Sequence, residues 1–382
     1  MGRQGFRWID SDMHLAEPGD LWVQFIDPRY RDQYRSWTPA DPRYTSLREP
    51  AFSASTAAAP VAPIQAGPVS LIKARRFKDF TPFLADDGVS IGPDGQLRAM
   101  DVEGIDIAVL FPTVGLPAVV EAPPDVAAAL ARGYNDWLAA FCRYDPARLK
   151  LCALIPFGDV EEAVAEIRRS ATALGAVGLF PVIAHQDPLR ISPARLDDPV
   201  YEPIWAEAER QQVAIAFHGS IQTHLRDRYR GSDVFVHATG RSVEHPLSFL
   251  ELTLGGVFER HPTLHFAFLE AGCSWVLYWL FRAEEEWERY RDTVPGLAEQ
   301  VKLRPVEYWQ RQCWSAVEVD EWTLPAVIST LGDDGLVISS DFPHFDSAFP
   351  HAFDRFMQIP GLSDDSKRKV LWDNCARLYR LS

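Results

Sequence analysis

Acidic and imidazole side chains follow four apolar runs of the sequence, and they are of the types that bind transition metals. Asp12 and His14 stand two residues apart at the end of the first run. His218, Glu270 and Asp341 each come at the end of a later run. Imidazole nitrogens mixed with carboxylate oxygens are typical ligands of zinc, manganese and iron. The pattern therefore predicts a metal site, with Asp12, His14, His218 and Asp341 as its first ligands.

Further acids and histidines extend the predicted site. Glu17 and Glu270 are additional candidate ligands, and they would make the site rich enough in carboxylates for two bridged ions. The candidates for proton transfer are Asp341, Glu270 and His344. Three histidines after the fifth apolar run are weaker candidates for supporting the ligands from behind or for transferring protons: His224, His237 and His245. For each of them a capping or surface role is the simpler explanation.

These side chains need a scaffold that brings the ends of strands together. Hydrophobic periodicity predicts eight strands, at 6–12, 105–113, 149–157, 177–182, 213–218, 264–270, 312–319 and 336–341. Amphipathic helices are predicted between them, at 125–143, 161–174, 201–212 and 274–292. The pattern predicts a distorted (β/α)8 TIM barrel, in which the carboxyl ends of the strands converge at one mouth. A doubly wound open sheet would give a similar pattern.

A long segment after the first strand interrupts this alternation. Residues 41–90 are rich in Ala, Pro and Ser and lack clear periodicity, so we expect an insertion that forms a lid over the mouth of a single barrel spanning 1–382. Arg75 and Arg76 in this segment are predicted to bind an acidic group of the substrate. Trp275 and Phe342 are predicted to line an apolar pocket. Together these features favour a cyclic or aromatic carboxylic acid as substrate.

Composition excludes several classes of protein. The 382 residues include 38 Lys plus Arg and 53 Asp plus Glu, a net charge of −15 without a basic cluster, which argues against nucleic acid or an anionic membrane as partner. The five cysteines are scattered and form no C-x-x-C pair, which favours reduced core residues in the cytoplasm. No apolar stretch is long enough to span a bilayer. We therefore expect a cytoplasmic homo-oligomer, a dimer, that acts on a small molecule.

Several motifs resemble the amidohydrolase superfamily. They are Asp-x-His followed by Glu-Pro in strand one, the histidine after strand five, GGVFERHPTLHFAFLEAGCSW at 255–275 and VISSDFPHFD at 337–346. More narrowly, they are similar to the amidohydrolase-related (amidohydrolase 2) branch typified by aminocarboxymuconate-semialdehyde decarboxylase. The resemblance covers strand one and most of the chain from about Arg98 onward, but not the 41–90 segment.

The resemblance implies a distorted barrel with a divalent metal at its mouth, held by Asp12, His14, His218 and Asp341. The implied metal is Zn, Mn or Fe, as one ion or two. Many relatives have His-x-His in strand one, where this chain has Asp12. Decarboxylases of the branch have a catalytic histidine at the end of strand six, where this chain has Glu270.

On this scaffold we first expect a metal-dependent hydrolase, in which Asp341 takes a proton from a metal-activated water that attacks a carboxylic acid derivative or amide. One alternative is a carboxy-lyase, a non-oxidative decarboxylase in which Asp341 delivers a proton to carbon. Another is an O2-dependent oxygenase with two non-haem irons in the carboxylate-rich site. A barrel that binds metal without turnover is less favoured, because structural zinc sites are usually rich in cysteine.

Overall fold

The structure is a computed structural model and describes residues 2–19, 21–30, 80–88, 90–113, 116–183, 195–218, 233–344 and 346–381. Within these residues, eight parallel strands form one sheet whose spatial order follows the sequence. They are β1 (Ile9–His14), β2 (Ile107–Phe111), β3 (Leu149–Pro156), β4 (Gly178–Val182), β5 (Ala214–Phe217), β6 (Phe266–Phe268), β7 (Cys313–Val317) and β8 (Leu336–Ile338). Each predicted strand is present, so the predicted α/β TIM barrel is confirmed and the open sheet is excluded.

Helices connect and cover the strands. The described residues include α1 (Leu21–Phe25), α2 (Pro93–Glu103), α3 (Leu116–Glu121), α4 (Pro124–Cys142), α5 (Val160–Arg169), α6 (Glu202–Gln211), α7 (Asp233–Leu254), α8 (Val257–Arg260), α9 (Trp275–Tyr290), α10 (Leu297–Gln300), α11 (Pro305–Gln312), α12 (Leu324–Leu331), α13 (Ala352–Met357), α14 (Asp364–Arg368) and α15 (Asn374–Leu378). The four helices that the periodicity predicts correspond to α4, α5, α6 and α9. None of the described helices is both long and apolar enough to cross a membrane.

Local sequence explains where these elements begin and end. α5 begins after Asp159, whose side chain accepts a hydrogen bond from the backbone N–H of Glu162 and so caps the helix. One further turn, Ser170–Leu174, ends at Gly175, which has a left-handed φ of 76° that glycine adopts without strain. The strands are buried along almost their whole length, as expected for a parallel sheet covered by helices.

The contact between the first and last strands is built differently from the rest of the sheet. We call it the β1–β8 seam and define it as residues 10–14 facing residues 338–342. Parallel ladders join each successive pair from β1 to β8. At the seam, by contrast, the described contacts include Ser11 Oγ donating to Ile338 O at 2.8 Å and His14 N donating to Phe342 O at 2.7 Å. Side chains therefore contribute much of the closure of the barrel.

The first strand contains an irregularity that the sequence did not predict. Its register with β2 shifts between Asp10 and Met13, so that two residues of β1 lie opposite one residue of β2. Such a β-bulge turns side chains relative to a regular strand and is common beside active sites. It lies at Ser11 and Asp12, immediately before His14.

Two further expectations concern the lid and the cysteines. The predicted lid at 41–90 lies mostly outside the described residues. Its last part includes Phe80, which is buried and packs against Phe342 with ring centroids 5.2 Å apart. All five cysteines are buried and free, as expected for reduced core residues.

Candidate active site

Three of the predicted ligands form a compact group at the carboxyl ends of β1 and β5. His14 Nε2 lies 3.0 Å from His218 Nε2. The Asp12 carboxylate lies beside both rings, with its oxygens 3.4 Å from His14 Nε2 and 3.3 Å from His218 Nε2. The three side chains are almost fully buried, at 0 %, 1 % and 4 % exposure for Asp12, His14 and His218. We call these three residues the inner group.

The surroundings of the two histidines orient their rings toward each other. His14 Nδ1 lies 2.9 Å from Pro112 O. Because a carbonyl oxygen can only accept, Nδ1 carries the proton and Nε2 of the neutral ring presents a lone pair, which is the tautomer that a metal requires. Phe111 stacks on His218 with ring centroids 5.4 Å apart and so fixes the second ring.

The Asp12 carboxylate provides the test of whether a metal fits. Both of its oxygens are buried, and neither accepts a hydrogen bond from any described residue. A buried carboxylate without donors is costly unless a cation compensates its charge. A divalent ion shared with His14 and His218 would compensate it, since one carboxylate and two imidazoles suit zinc, manganese or iron. The inner group therefore fits a metal site.

A second group lies immediately outside the first. Atoms of Glu270, Asp341 and His344 approach His14 closely enough to share an ion with it. Asp341 Oδ1 lies 3.4 Å from His14 Nε2 and 2.7 Å from His344 Nδ1. Glu270 Oε2 lies 3.0 Å from His218 Nε2, and its Oε1 lies 3.8 Å from His344 Nδ1. We call Glu270, Asp341 and His344 the outer group.

The outer group differs from the inner group in access and in its backbone. The side chains of Asp341 and His344 are each 15 % exposed, so they are reachable from the mouth. Glu270 and Asp341 both have left-handed φ values, 61° and 55°, which are uncommon for these residues and typical of functional sites. His344 Nε2 lies 3.1 Å from Thr113 Oγ1. Asp341, His344 and Thr113 thus form a continuous row of close polar contacts that is suited to holding and passing a proton.

Some predicted site residues lie elsewhere or are engaged differently. Glu17 is outside both ligand groups found among the described residues, and its Oε1 accepts a hydrogen bond from Thr113 N at 2.9 Å. Its carboxylate thus supports the loop after β2, and its role as a ligand stays a prediction. His245 is buried, and its Nε2 lies 2.5 Å from Leu269 O. It thus supports the residue directly before Glu270.

The two aromatic residues predicted to contact the substrate both pack against the hydrophobic core. Phe342 is 0 % exposed, and its ring lies 4.7 Å from that of Phe349 between centroids. Trp275 packs edge-on against Phe268 and Trp309, at 5.5 and 5.8 Å between ring centroids. The complete burial of Phe342 corrects its assignment, whereas Trp275 is only partly buried and its contact with substrate stays a prediction. The chemical type of an aromatic residue does not distinguish a core position from a pocket wall.

Three other predicted residues, Arg75, Arg76 and His224, lie outside the described part of the chain. His237 lies in α7, but its side chain is not among those described. The roles predicted for these four residues stay predictions.

A cavity of about 350 Å³ adjoins the outer group, and its lining differs from the apolar pocket that the sequence predicts. Glu270 and Asp341 form part of its wall, and most of the other lining residues are small or hydroxyl-bearing. The lining also includes three further acids: Glu318, Asp320 and Asp346. Among the described lining residues Arg355 is the one cation, and its guanidinium lies 3.0 Å from Asp320 Oδ2. No sequence motif identifies Arg355, because it lies in α13, which follows β8 after a long loop. The cavity places space for a small molecule directly beside Asp341.

Comparison with known proteins identifies the family. The family model described as Amidohydrolase matches residues 9–381, nearly the whole chain. Gamma-resorcylate decarboxylase from Rhizobium radiobacter is 28 % identical over 296 residues, which cover 75 % of this chain and 87 % of that protein.

Solved structures share the fold. 5-Carboxyvanillate decarboxylase from Sphingomonas paucimobilis superposes with a TM-score of 0.71 at 21 % identity, covering 99 % of this chain and 100 % of the other. Dihydroxybenzoic acid decarboxylase from Polaromonas sp. JS666, described with bound manganese and the inhibitor 2-nitroresorcinol, gives a TM-score of 0.67 at 22 % identity. That alignment covers 98 % of this chain and 97 % of the other.

These relatives correct the first functional expectation, hydrolysis. The three relatives described above are named decarboxylases, so the carboxy-lyase alternative is better supported than the hydrolase. None of the three relatives is described as an oxygenase. The physical reason for the error is that one set of ligands serves both reactions, which differ in whether water or a proton attacks. The match over residues 9–381, together with the eight-stranded barrel and the ligand groups at its mouth, shows that this enzyme belongs to the amidohydrolase family.

Proposed function

We propose that the protein is a manganese-dependent carboxy-lyase that removes CO2 from a hydroxylated aromatic carboxylic acid. The observation that carries the proposal is the arrangement of Asp341, which lies between the ligand histidine His14 and the proton-holding His344 and also faces the cavity. The decarboxylase relatives support the reaction class. Manganese is proposed because a structural neighbour is described with that metal.

The inner group and Asp341 would hold the ion. Asp12 offers a buried carboxylate without described hydrogen-bond donors, and His14 offers the lone pair of Nε2. His218 and Asp341 complete the set from β5 and from the end of β8. When bound, the ion would supply positive charge that orients the substrate carboxylate and a neighbouring hydroxyl. Zinc, iron or a second ion are the alternatives that metal analysis excludes or supports.

The reaction needs one proton at carbon and no water. A proton is added to the ring carbon that carries the carboxylate, the C–C bond to the carboxylate breaks, its electron pair returns to the ring, and CO2 leaves. Asp341 holds this proton at its carboxyl, because Oδ1 lies 2.7 Å from His344 Nδ1. Thr113 Oγ1 keeps the His344 ring in place from the other side, at 3.1 Å from Nε2. The chain can thereby reprotonate Asp341 after turnover.

Glu270 makes the proton path of this chain different from that of decarboxylases with a histidine at the end of strand six. A carboxylate cannot become a cation, so Glu270 does not replace an imidazolium in kind. It lies 3.0 Å from His218 Nε2 and 3.8 Å from His344 Nδ1. In this position it stabilises positive charge on His344, which leaves proton transfer to the Asp341–His344 pair.

The cavity indicates the size and the polarity of the substrate. Its volume of about 350 Å³ is at the lower end of small-molecule pockets. Ser339 and Ser340 contribute polar surface, while Ala271 and Ala348 leave room for a ring. Arg355 is placed to receive an acidic or hydroxyl substituent, with Asp320 as its partner in the ligand-free state. A single ring with a carboxylate and one or two hydroxyls fits this lining.

The direct test is CO2 release by protein loaded with Mn²⁺. We expect release from 2,6-dihydroxybenzoate or 5-carboxyvanillate, with formation of the corresponding phenol, and loss of turnover after chelation with recovery on adding Mn²⁺ back. Metal analysis of protein purified without added metal should give one ion per chain.

Two results would contradict the proposal. Mn²⁺-loaded protein that releases no CO2 from a panel of hydroxybenzoates would exclude carboxy-lyase activity on this class. O2 uptake by protein that contains two irons would favour the oxygenase instead. Asp320→Asn is the control variant. It removes the charge of a carboxylate that lines the cavity but lies outside the ligand groups, so metal binding should stay unchanged.

A further inference from the structure

Asp10 is a buried carboxylate whose position on β1 suggested no role in the sequence. It is 0 % exposed. Its Oδ1 accepts two backbone hydrogen bonds, from Asp12 N at 3.1 Å and from Ser340 N at 3.2 Å. The first amide belongs to a ligand of the inner group, and the second belongs to the residue directly before Asp341. One oxygen atom thus connects the two chain segments that carry the carboxylates of the metal site.

The hydrogen bonds of Asp10 lie where the first and last strands close the barrel. β1 and β8 are neighbours at the β1–β8 seam, where side chains contribute much of the closure. Ser339 Oγ donates to Asp12 O at 2.8 Å and accepts from Asp341 N at 3.2 Å. Tyr379 Oη donates to Ser11 O at 3.0 Å from the chain end. Of these contacts, the Asp10 carboxylate is the buried acceptor that binds an amide on each side of the seam.

We propose that Asp10 is a positioning residue that fixes Asp12 and Asp341 relative to each other and thereby sets the affinity of the site for its divalent cation. The inference rests on the metal site of the proposed function. The physical reason is that Asp12 and Asp341 come from strands at opposite ends of the chain, and sliding of β8 along β1 would move the two carboxylates apart. Hydrogen-bonded partners behind ligands commonly control metal affinity in this way.

A second buried carboxylate shows what a purely structural role looks like. Glu103, at the end of α2, is also 0 % exposed, and its Oε1 accepts a hydrogen bond from Phe353 N at 2.9 Å. Phe353 lies in α13, and neither Glu103 nor Phe353 belongs to the ligand groups found among the described residues. Glu103 is therefore a matched control, because it resembles Asp10 in charge, burial and type of partner but lies away from the metal site.

The experiment measures Mn²⁺ affinity of metal-free protein by electron paramagnetic resonance, with circular dichroism as the check on folding. Asp10→Ala should weaken Mn²⁺ binding by about ten- to a hundredfold, the usual effect of losing a partner behind a ligand. Asp10→Asn keeps an oxygen acceptor and should stay within about threefold of the wild type. Glu103→Ala should lower thermal stability and leave Mn²⁺ affinity within about threefold.

Each outcome decides the inference. Wild-type Mn²⁺ affinity in folded Asp10→Ala, or an equal loss in Glu103→Ala, would overturn it while leaving the proposed function intact. If Asp10→Ala does not fold, Asp10→Ser takes its place, since its hydroxyl is one bond too short to reach both amides and the same loss of affinity is expected. Wild-type affinity in Asp10→Ser overturns the inference. Absence of Mn²⁺ binding in the wild type would end both this inference and the proposed function.

Discussion

Two clusters in this protein combine histidines with carboxylates. They differ in whether the carboxylates accept hydrogen bonds from neighbouring groups. In the inner group, both oxygens of Asp12 are buried and accept no hydrogen bond from the described residues. In the second cluster, which lies beside α6, His261 has Glu202 and Glu209 at 3.0 Å from its two ring nitrogens. Glu209 additionally accepts hydrogen bonds from Thr263 N at 3.0 Å and Thr263 Oγ1 at 2.8 Å.

The difference teaches how to separate a metal site from a structural ion network. In the His261 cluster every carboxylate has its own donors, including Arg260 Nε at 3.0 Å from Glu202, so no further cation is needed. The hydrogen bonds from Thr263 and His261 outweigh the effect of burial and lower the pKa of Glu209. The inner group has two imidazoles turned toward each other and a carboxylate without described donors. The satisfaction of donors and acceptors, rather than residue type, distinguishes the two.

The largest effect is expected at the residue that connects metal and proton. Asp341→Asn removes both a ligand oxygen and the acid that protonates carbon, so we expect kcat for CO2 release to fall by about 10³-fold or more. The measurement is steady-state CO2 release at saturating Mn²⁺. Full activity in this variant would remove Asp341 from the mechanism.

Removal of an inner-group carboxylate should lower Mn²⁺ affinity, whereas removal of a carboxylate from the His261 cluster should not. Removing a partner behind a ligand already weakens metal binding by about ten- to a hundredfold, so Asp12→Ala should weaken Mn²⁺ binding by more than about a hundredfold. The corresponding change in the other cluster, Glu209→Ala, should leave Mn²⁺ affinity unchanged. Titration of both metal-free variants with Mn²⁺ tests this, and equal affinities would show that the inner group holds no ion.

Glu103 is a buried carboxyl outside the ligand groups, and we expect it to bind a proton rather than to stay charged beside a metal ion. Burial raises the pKa of Glu103 to about 7, against a weaker opposing effect of its hydrogen bond from Phe353. The folded state then binds more protons than the unfolded state between pH 4.5 and 7, so this group makes stability fall as pH rises through that window. Glu103→Gln should remove a fall on the order of 3 kcal/mol. Urea unfolding of metal-free protein from pH 4.5 to 8 measures it, and parallel curves for wild type and variant would contradict it.

The His261 cluster should contribute to stability alone. His261→Ala removes a nearly buried ring that contacts two carboxylates, and we expect it to lower the free energy of unfolding by about 1 to 2 kcal/mol. Mn²⁺ affinity and kcat should not change, because the cluster lies beside α6 and not at the barrel mouth. Chemical denaturation combined with the Mn²⁺ titration checks both statements. A loss of Mn²⁺ binding without a loss of stability would reverse the comparison.

The smallest effect is expected at Thr113. Thr113→Val keeps the shape of the side chain and removes the hydroxyl that lies 3.1 Å from His344 Nε2. Loss of one such hydrogen bond should lower kcat by about three- to tenfold. The KM for the aromatic acid should stay the same, since Thr113 is not among the described residues that line the cavity. A change in KM alone would assign Thr113 to substrate binding.

Much of the architecture was predictable because it depends on periodic burial. The eight strands were placed to within a few residues, and the positions of Asp12, His14, His218 and Asp341 at strand ends follow from that placement. Whether these four side chains are the ligands is what the Mn²⁺ titrations test. The resemblance to amidohydrolases predicted the family, and the family match confirms it.

The features that were missed depend on contacts between distant segments. The bulge at Asp12 depends on pairing with β2, and the contact of Asp10 with the amide of Ser340 joins residues 330 positions apart, so no local pattern encodes either of them. Phe342 was taken for a pocket residue because apolar character alone cannot separate a core from a cavity wall. The reaction was mistaken for hydrolysis because ligand types are common to both chemistries. The dimer and the cytoplasmic location stay predictions.

The distribution of the site over the barrel has a consequence for metal binding. Asp12 lies on β1 and Asp341 follows β8, so the full set of ligands exists only when the first and last strands are side by side. An ion that binds this set would stabilise the closed barrel relative to forms in which the two strands have separated.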